Sequence, residues 1–403
     1  MRISSNTIFA GGLSRLSELQ SGIVKTQQQI STGRRILSPS DDPVGAARAL
    51  DLTQGQSINT QFAANRKATS ASLSSEEGVL QGTTSLLQDL KSLTISAGNG
   101  TLNDTDRATI ATDLKGRLDE LISQANATDG TGNYLFAGFQ VASPPFSSAA
   151  TGAVYSGDQG QRLVQVGTSR QIGLSDPGDA IFQNVPATTG TLSTRAVGSN
   201  TGSGSVSGVT VTDASVLTNH NYSVKFTVAA GVTTYDVIDS TTGGAPLSTG
   251  NAYTAGQPIA FAGQKLTVSG APANGDAFTV QPATNQSIFT TLSDLITALQ
   301  TPATGIVGKA NLNRSLSVAN GNIDNALNNV LTVRASIGSR LKELDSLDSY
   351  GTDRDIQYES ALQDIQGVDY NKAISDFTQQ NTTLEAAQKS FVKISGLSLF
   401  NLL

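Results

Sequence analysis

The stretch Phe9-Ala-Gly-Gly-Leu13-Ser-Arg-Leu16-Ser-Glu-Leu-Gln20-Ser-Gly-Ile23-Val-Lys-Thr-Gln27-Gln-Gln-Ile30 decides the architecture. Phe9, Leu13, Leu16, Gln20, Ile23, Gln27 and Ile30 recur at alternating spacings of four and three, the repeat of a helix that lays one narrow stripe against a neighbour. Gln20 and Gln27 are amides within that stripe. Amides weaken a seam and restrict its register and copy number. Gly33 stops the helix and Pro39 prevents its continuation. Asp42-Pro43 opens the next one, with Asp as N-cap and Pro in the first helical position. That helix runs through Leu50, Ile58, Leu73, Leu80, Leu87, Leu90 and Leu93 to about Ala97. A third, from Asp106 to Ala125, sets Ile110, Leu114, Leu118, Leu121 and Ile122 on one face.

The far end of the chain mirrors the beginning. Leu316, Asn320, Ile323, Leu327, Val330, Arg334, Ile337, Leu341 and Leu344 keep the same spacing, and a helix from Leu316 to Asp348 is about 50 Å long. The last helix repeats it with Tyr370, Ile374, Phe377, Asn381, Leu384, Gln388 and Phe391. Each terminal stripe is too narrow to form a core alone. The two ends are therefore expected to pair with each other and with neighbouring molecules. Phe9, Leu13, Leu16, Ile23 and Ile30 then face Ile374, Phe377, Leu384 and Phe391, and Gln20, Gln27, Asn381 and Gln388 set register.

Between the helical ends the period changes. Tyr222, Val224, Phe226 and Val228 alternate with Ser223, Lys225 and Thr227, a half-buried strand. Residues 162–166, 209–212, 235–238, 265–268 and 278–280 read alike, with turns at Gly243-Gly244 and at 270–276. Residues 187–208 hold 15 Gly, Ser or Thr among 22, which predicts a flexible loop. The fold class expected is α+β: a long coiled-coil-like helical rod formed by the N- and C-terminal segments, with a β-rich domain inserted in the middle. Its parts are 1–41, an N-terminal axial helix and link; 42–140, the N-terminal part of the rod; 141–284, the β-rich domain; 285–365, the C-terminal part of the rod; and 366–403, a C-terminal axial helix.

Composition removes whole chemistries. Charged residues make up 14% of the chain against about 25% in an ordinary domain, and net charge is −6. A phosphate-binding basic surface is excluded, so no nucleic-acid partner is expected. Without cysteine there is no disulfide frame, thiolate nucleophile or zinc finger. The single histidine, His220, cannot build a metal cluster and reads as an exposed turn residue. Asp41-Asp42 and 103–106 read as helix caps, not as an acid/base pair or a calcium loop. Gly202-Ser-Gly204 has glycine content but none of the strand and helix context of a phosphate cradle. Arg34-Arg35 reads as a solvated doublet, and Arg334 as a charge reaching past its apolar seam. No catalytic residue, cofactor or metal site is expected, and the chain is not read as an enzyme. The start lacks the apolar run of a cleaved signal peptide and no 18-residue apolar run occurs, so no membrane insertion is expected.

Several motifs carry a resemblance. Ile30-Ser-Thr-Gly-Arg-Arg-Ile36 with Ser40-Asp-Asp-Pro-Val-Gly-Ala46, and Asn99-Gly-Thr-Leu-Asn-Asp-Thr-Asp-Arg107, resemble the signature of the flagellin family of bacterial flagellar axial proteins. Gly132-Asn-Tyr-Leu-Phe-Ala-Gly138, Pro144-Pro-Phe146 and the ending Lys393-Ile-Ser-Gly-Leu-Ser-Leu-Phe-Asn-Leu-Leu403 are similar to its hook-associated branch. The segment 222–280, with Phe261-Ala-Gly263, resembles a β module of that branch. The resemblance implies a structural adaptor between hook and filament, extracellular on the flagellum and exported through the flagellar type III channel without a cleaved signal peptide. It implies ring self-association and contacts with hook-associated protein 1 and flagellin. It also implies an export chaperone on Ile374, Phe377, Leu384, Phe391 and Ile394. The competing expectations are a filament-forming flagellin, and a secreted adhesin whose β domain binds a surface ligand.

Overall fold

The computed structural model describes residues 5–186, 192–243, 245–283 and 285–400. Helices α1 (Ser5–Thr32), α2 (Pro43–Ala97) and α3 (Asp104–Ala125) precede the strands, and α4 (Ile288–Gln300), α5 (Gly305–Gln366) and α6 (Tyr370–Phe400) follow them. Helical segments thus flank a β-rich middle. The chain forms two compact units, Met1–Arg66 with Asp345–Leu403, and Lys67–Leu344.

In the first unit α1 packs on α6, and the start of α2 packs on the end of α5. Asn59 Nδ2 donates to Gly351 O at 2.8 Å, and Arg66 Nε meets Asp348 Oδ1 at 3.0 Å with the Arg66 side chain almost fully buried.

In the second unit α2 buries Thr69, Leu73, Glu76, Leu80, Thr83, Leu87, Leu90, Thr94 and Ala97, an unbroken four–three repeat. The buried face of α5 is Leu312, Leu316, Ala319, Ile323, Ala326, Val330, Ile337 and Leu344. The α5 helix runs 62 residues, well past the expected Leu316–Asp348. A capping box starts α3: Asp106 N donates to Asn103 Oδ1 at 2.9 Å and Asn103 N to Asp106 Oδ2 at 3.0 Å. The helix therefore begins two residues before its expected start. Below α3 and α4, Phe136, Phe146, Phe182 and Phe289 form a ring cluster with centroids 5.1–5.9 Å apart.

The β region is a two-sheet sandwich. One sheet is antiparallel and five-stranded, in the order Ser248–Ala252, Val232–Asp239, Tyr222–Ala229, Ala277–Pro282, Leu192–Ala196. The other is built on Gln264–Ser269, flanked by Pro258–Phe261 and by the short strands Ser205–Val206 and Thr210–Val211. Inward residues of both sheets, Val224, Phe226, Phe278 and Val280 with Ile259, Leu266 and Val268, form one apolar cluster.

Two expectations are corrected here. Part of the stretch read as a loop is ordered strand: Leu192–Ala196 pairs with Ala277–Pro282, and Ser205–Val206 with Val268 and Ser269. Only Leu192 and Ala196 of that edge strand are buried, too few to show against its Ser and Thr background. Residues 187–191 lie outside the described residues. His220 is not a free turn residue: its Nδ1 lies 2.7 Å from Asp239 Oδ2, and Asp239 is buried.

Candidate assembly interface

The paired ends are joined by two links. Gly33, at φ +69, turns the chain out of α1 in the left-handed region that glycine tolerates. Arg35 N then donates to Gln366 O at 2.6 Å and Val368 N to Gly33 O at 3.1 Å, bridging the link after α1 to the link before α6. Arg35 is not simply solvated: Nη2 donates to Ile365 O at 2.8 Å and lies 3.4 Å from Asp42 Oδ2. Asp42 Oδ1 accepts Gly45 N at 2.8 Å, the capping role expected of it. Asp41 Oδ2 accepts the N–H groups of Leu37 and Ser38, and Oδ1 takes Lys25 Nζ at 2.6 Å. Lys25, with those two N–H groups, lowers the Asp41 pKa to about 2.

Along the α1–α6 pair, shielded positions define the seam. On α1 they are Gly12, Leu16, Leu19, Ile23, Thr26 and Ile30; on α6 they are Ala373, Phe377, Gln380, Leu384, Ala387 and Phe391. Both series step by four and three. Phe9 and Phe391 stack tilted with centroids 5.1 Å apart. A Cβ at Gly12 would come within 2.6 Å of the Phe391 ring, so the missing side chain is what admits the ring. Thr26 Oγ1 donates to Gln380 Oε1 at 3.1 Å, a polar contact inside the seam.

Of the residues expected to form the interface, Leu16, Ile23, Ile30, Phe377, Leu384 and Phe391 lie on this seam, with Asn381 half-buried at its edge. Phe9, Leu13 and Ile374 are 47%, 49% and 53% exposed, and Gln20, Gln27 and Gln388 are exposed beside them. The exposed amides lie outside the shielded seam; the polar contact inside it is Thr26–Gln380, and neither of those residues was singled out by the sequence. The side chain of Ile394 lies outside the described residues. Arg334, in the second unit, donates from Nε and Nη2 to Glu77 Oε1 at 2.9 and 2.7 Å and from Nη1 to Thr84 Oγ1 at 3.2 Å, so its charge is spent within the chain.

At its seam and at the exposed positions beside it, the α1–α6 surface is made of apolar side chains, amides and the Thr26 hydroxyl. Among the described residues no group of three or more His, Asp or Glu side chains is placed to hold a metal, and no helix is long and apolar enough to cross a membrane. What it offers is two apolar stripes on paired terminal helices, one filled within the chain and one exposed.

Paired terminal helices flanking an inserted β domain define the flagellin-like class of axial protein. Residues 3–141 match the bacterial flagellin N-terminal helical region and residues 321–403 the bacterial flagellin C-terminal helical region. Residues 196–282, the β sandwich, match the D2-like domain of flagellar hook-associated protein 1. Flagellar hook-associated protein 3 of Salmonella typhimurium is 30% identical over 403 residues, covering 100% of this chain and 99% of its own. The flagellar hook-associated protein-3 structure from Legionella pneumophila aligns with TM-score 0.72 and 31% identity, covering 78% of this chain and 98% of that one. Xanthomonas campestris FlgL aligns with TM-score 0.70 and 31% identity over 77% of this chain and 99% of that one. An Escherichia coli flagellin, by contrast, is 30% identical over only 130 residues, 32% of this chain and 24% of its own. The chain belongs to the flagellar hook-associated protein 3 family, and it is a structural protein of the bacterial flagellum.

Proposed function

We propose that this chain is the adaptor between hook and filament, assembling as a ring of its own copies through the exposed stripes of α1 and α6. The observation that carries this reading is full-length similarity to hook-associated protein 3, where an Escherichia coli flagellin aligns over a third of the chain. Phe9, Leu13, Ile374 and Val392, all about half or more exposed, supply apolar surface for neighbouring copies. Hook-associated protein 1 on one side of the ring and flagellin on the other are its axial partners. Before assembly α6 is covered by an export chaperone at Ile374, Phe377, Leu384, Phe391 and Ile394, the seam positions Phe377, Leu384 and Phe391 included. The chain leaves the cell through the flagellar export channel and resides outside it, on the flagellum.

Immunogold electron microscopy of intact flagella, with antibody raised against residues 141–284, tests the reading. A single band where hook meets filament supports it. Label along the whole filament would make the chain a flagellin, and label confined to the cell surface would make it an adhesin.

A further inference from the structure

Glu76 is fully buried on the α2 seam, one turn from Leu73 and from Leu80. Its Oε1 accepts the backbone N–H of Asp176 at 3.0 Å, and its Oε2 has no hydrogen-bond partner. The segment it holds, residues 173–176, is tied to the helices at other points as well. Ser72 Oγ on α2 donates to Leu174 O at 2.9 Å, Arg340 Nη1 on α5 donates to Gly173 O at 3.5 Å, and Arg340 Nη2 pairs with the Asp176 carboxylate.

The charged groups around Glu76 are Asp176 from the segment, Arg340 from α5 and Glu77 beside it on α2. The cation among them, Arg340, already pairs with Asp176, and Glu77 is taken by Arg334. An ionised Glu76 is therefore a carboxylate whose neighbouring guanidinium is already paired, buried and with one oxygen unsatisfied. Burial first, and then the Asp176 charge, push its carboxyl up to about 8.

We propose that Glu76 is a proton-held latch: as a neutral acid it keeps residues 173–176 docked on α2 and α5, and loss of its proton releases them. Undocked, Glu76 meets water and ionises in the ordinary range near 4.5. Docking then takes up a proton at every pH between those two values. Its equilibrium weakens about tenfold per pH unit across that window and levels off above it.

Amide exchange of the full chain tests this, with the protection of the Asp176 N–H corrected for its intrinsic, pH-dependent rate. In the wild type, protection should fall about tenfold per unit from pH 5.5 to 7.5. Glu76→Gln, which mimics the neutral acid, should fold and show a flat profile, whereas Glu77→Gln should keep the slope. A flat wild-type profile, or an unchanged slope in Glu76→Gln, overturns the proposal. A second readout does not depend on exchange: with ¹³C-carboxyl glutamate, the resonance missing in Glu76→Gln must titrate in the wild type well above the ordinary range, and titration near 4.5 overturns the latch.

Discussion

Ala373 and Ile374 are adjacent on α6 and face different surroundings, which separates folding from assembly. Ala373 is 7% exposed in the seam with α1, whereas Ile374 is 53% exposed outside it. Ala373→Asp buries a carboxylate with no space for hydration, at a cost of about 3 kcal/mol, or roughly 150-fold in the pairing equilibrium. Among the described residues α1, 28 residues, and α6, 31 residues, pack chiefly on each other, so unpairing should melt both. Ile374→Asp removes exposed apolar surface only, and its effect on the isolated chain should stay within about 0.5 kcal/mol. In an assembly that covers the remaining half of Ile374, the lost burial is about 1 kcal/mol per copy, with the cost of a desolvated charge added. Circular dichroism and thermal unfolding of the purified chain, beside swimming in soft agar, read the two effects apart. Ala373→Asp should lose helix and motility together; Ile374→Asp should keep helix and lose motility. Equal loss of helix in both variants refutes the seam assigned to α6, and normal swimming of Ile374→Asp refutes the assembly role of the exposed stripe. Phe391→Asp should fail on both counts, because Phe391 belongs to the seam and stacks on the half-exposed Phe9.

Three further outcomes follow from local features. Gln264 is 1% exposed with neither amide atom hydrogen-bonded, so Gln264→Met should stabilise the β sandwich by about 1 kcal/mol in urea unfolding; a loss of similar size would mean the amide is satisfied after all. The hairpin joining Tyr222–Ala229 to Val232–Asp239 holds both Ala230, φ +50, and Gly231, φ +79, in the left-handed region. Ala230→Asn should therefore raise stability by about 0.5 kcal/mol and Gly231→Ala lower it, measured the same way. Asp41 ionises lower in the fold than its ordinary 3.8, so its support for the turn after α1 is complete above that value and fades as pH falls toward 2. Exchange of the Leu37 and Ser38 amides, which donate to Asp41, should speed up over that interval relative to their intrinsic rates, and constant protection down to pH 2 would contradict the assignment.

The helical frame and its breaks were legible because Gly33, Asp42-Pro43 and Asn103 act through their nearest neighbours. The seams were legible in period but displaced at every other position. On α5 the expected Leu316, Ile323, Val330, Ile337 and Leu344 are buried, but between them Ala319 and Ala326 take the core positions assigned to Asn320 and Leu327. On α6 Ala373 and Ala387 stand where Ile374 and Gln388 were expected, and on α1 Gly12 and Leu19 where Leu13 and Gln20 were. Small side chains add little to a hydrophobic pattern, yet they let two helices approach closely, so at Gly12, Ala326 and Ala373 a reading by hydrophobicity steps onto the larger Leu13, Leu327 and Ile374. Leu19, Ala319 and Ala387 yield instead to amides that continue the four–three spacing. Threonine hides the α2 seam in another way: Thr83 and Thr94 donate to the carbonyls of Val79 and Leu90, satisfying a hydroxyl inside the core. Nothing local marks Glu76, whose partner lies a hundred residues away.

The displaced seams also bear on the association proposed for the terminal helices. A two-helix contact needs only one narrow stripe, and α1 and α6 already fill one with Leu16, Ile23, Phe377 and Leu384. Each helix nevertheless carries a second run one position round from the first: Leu13, Gln20, Val24 and Gln27 on α1, Ile374, Gln388 and Val392 on α6. Together the two runs widen the apolar arc beyond what one partner can cover. In water an uncovered isoleucine or valine gains nothing for the isolated chain, so the second run is what the proposed assembly, in which each helix has more than one neighbour, would use. Its amides fit the same account, because an exposed glutamine that contributes nothing to the pair within the chain can still restrict register in a contact between chains. On the proposed assembly, folding and association draw on different faces of the same two helices. A charge at position 374 should therefore act on assembly, and one at position 373 on the fold itself.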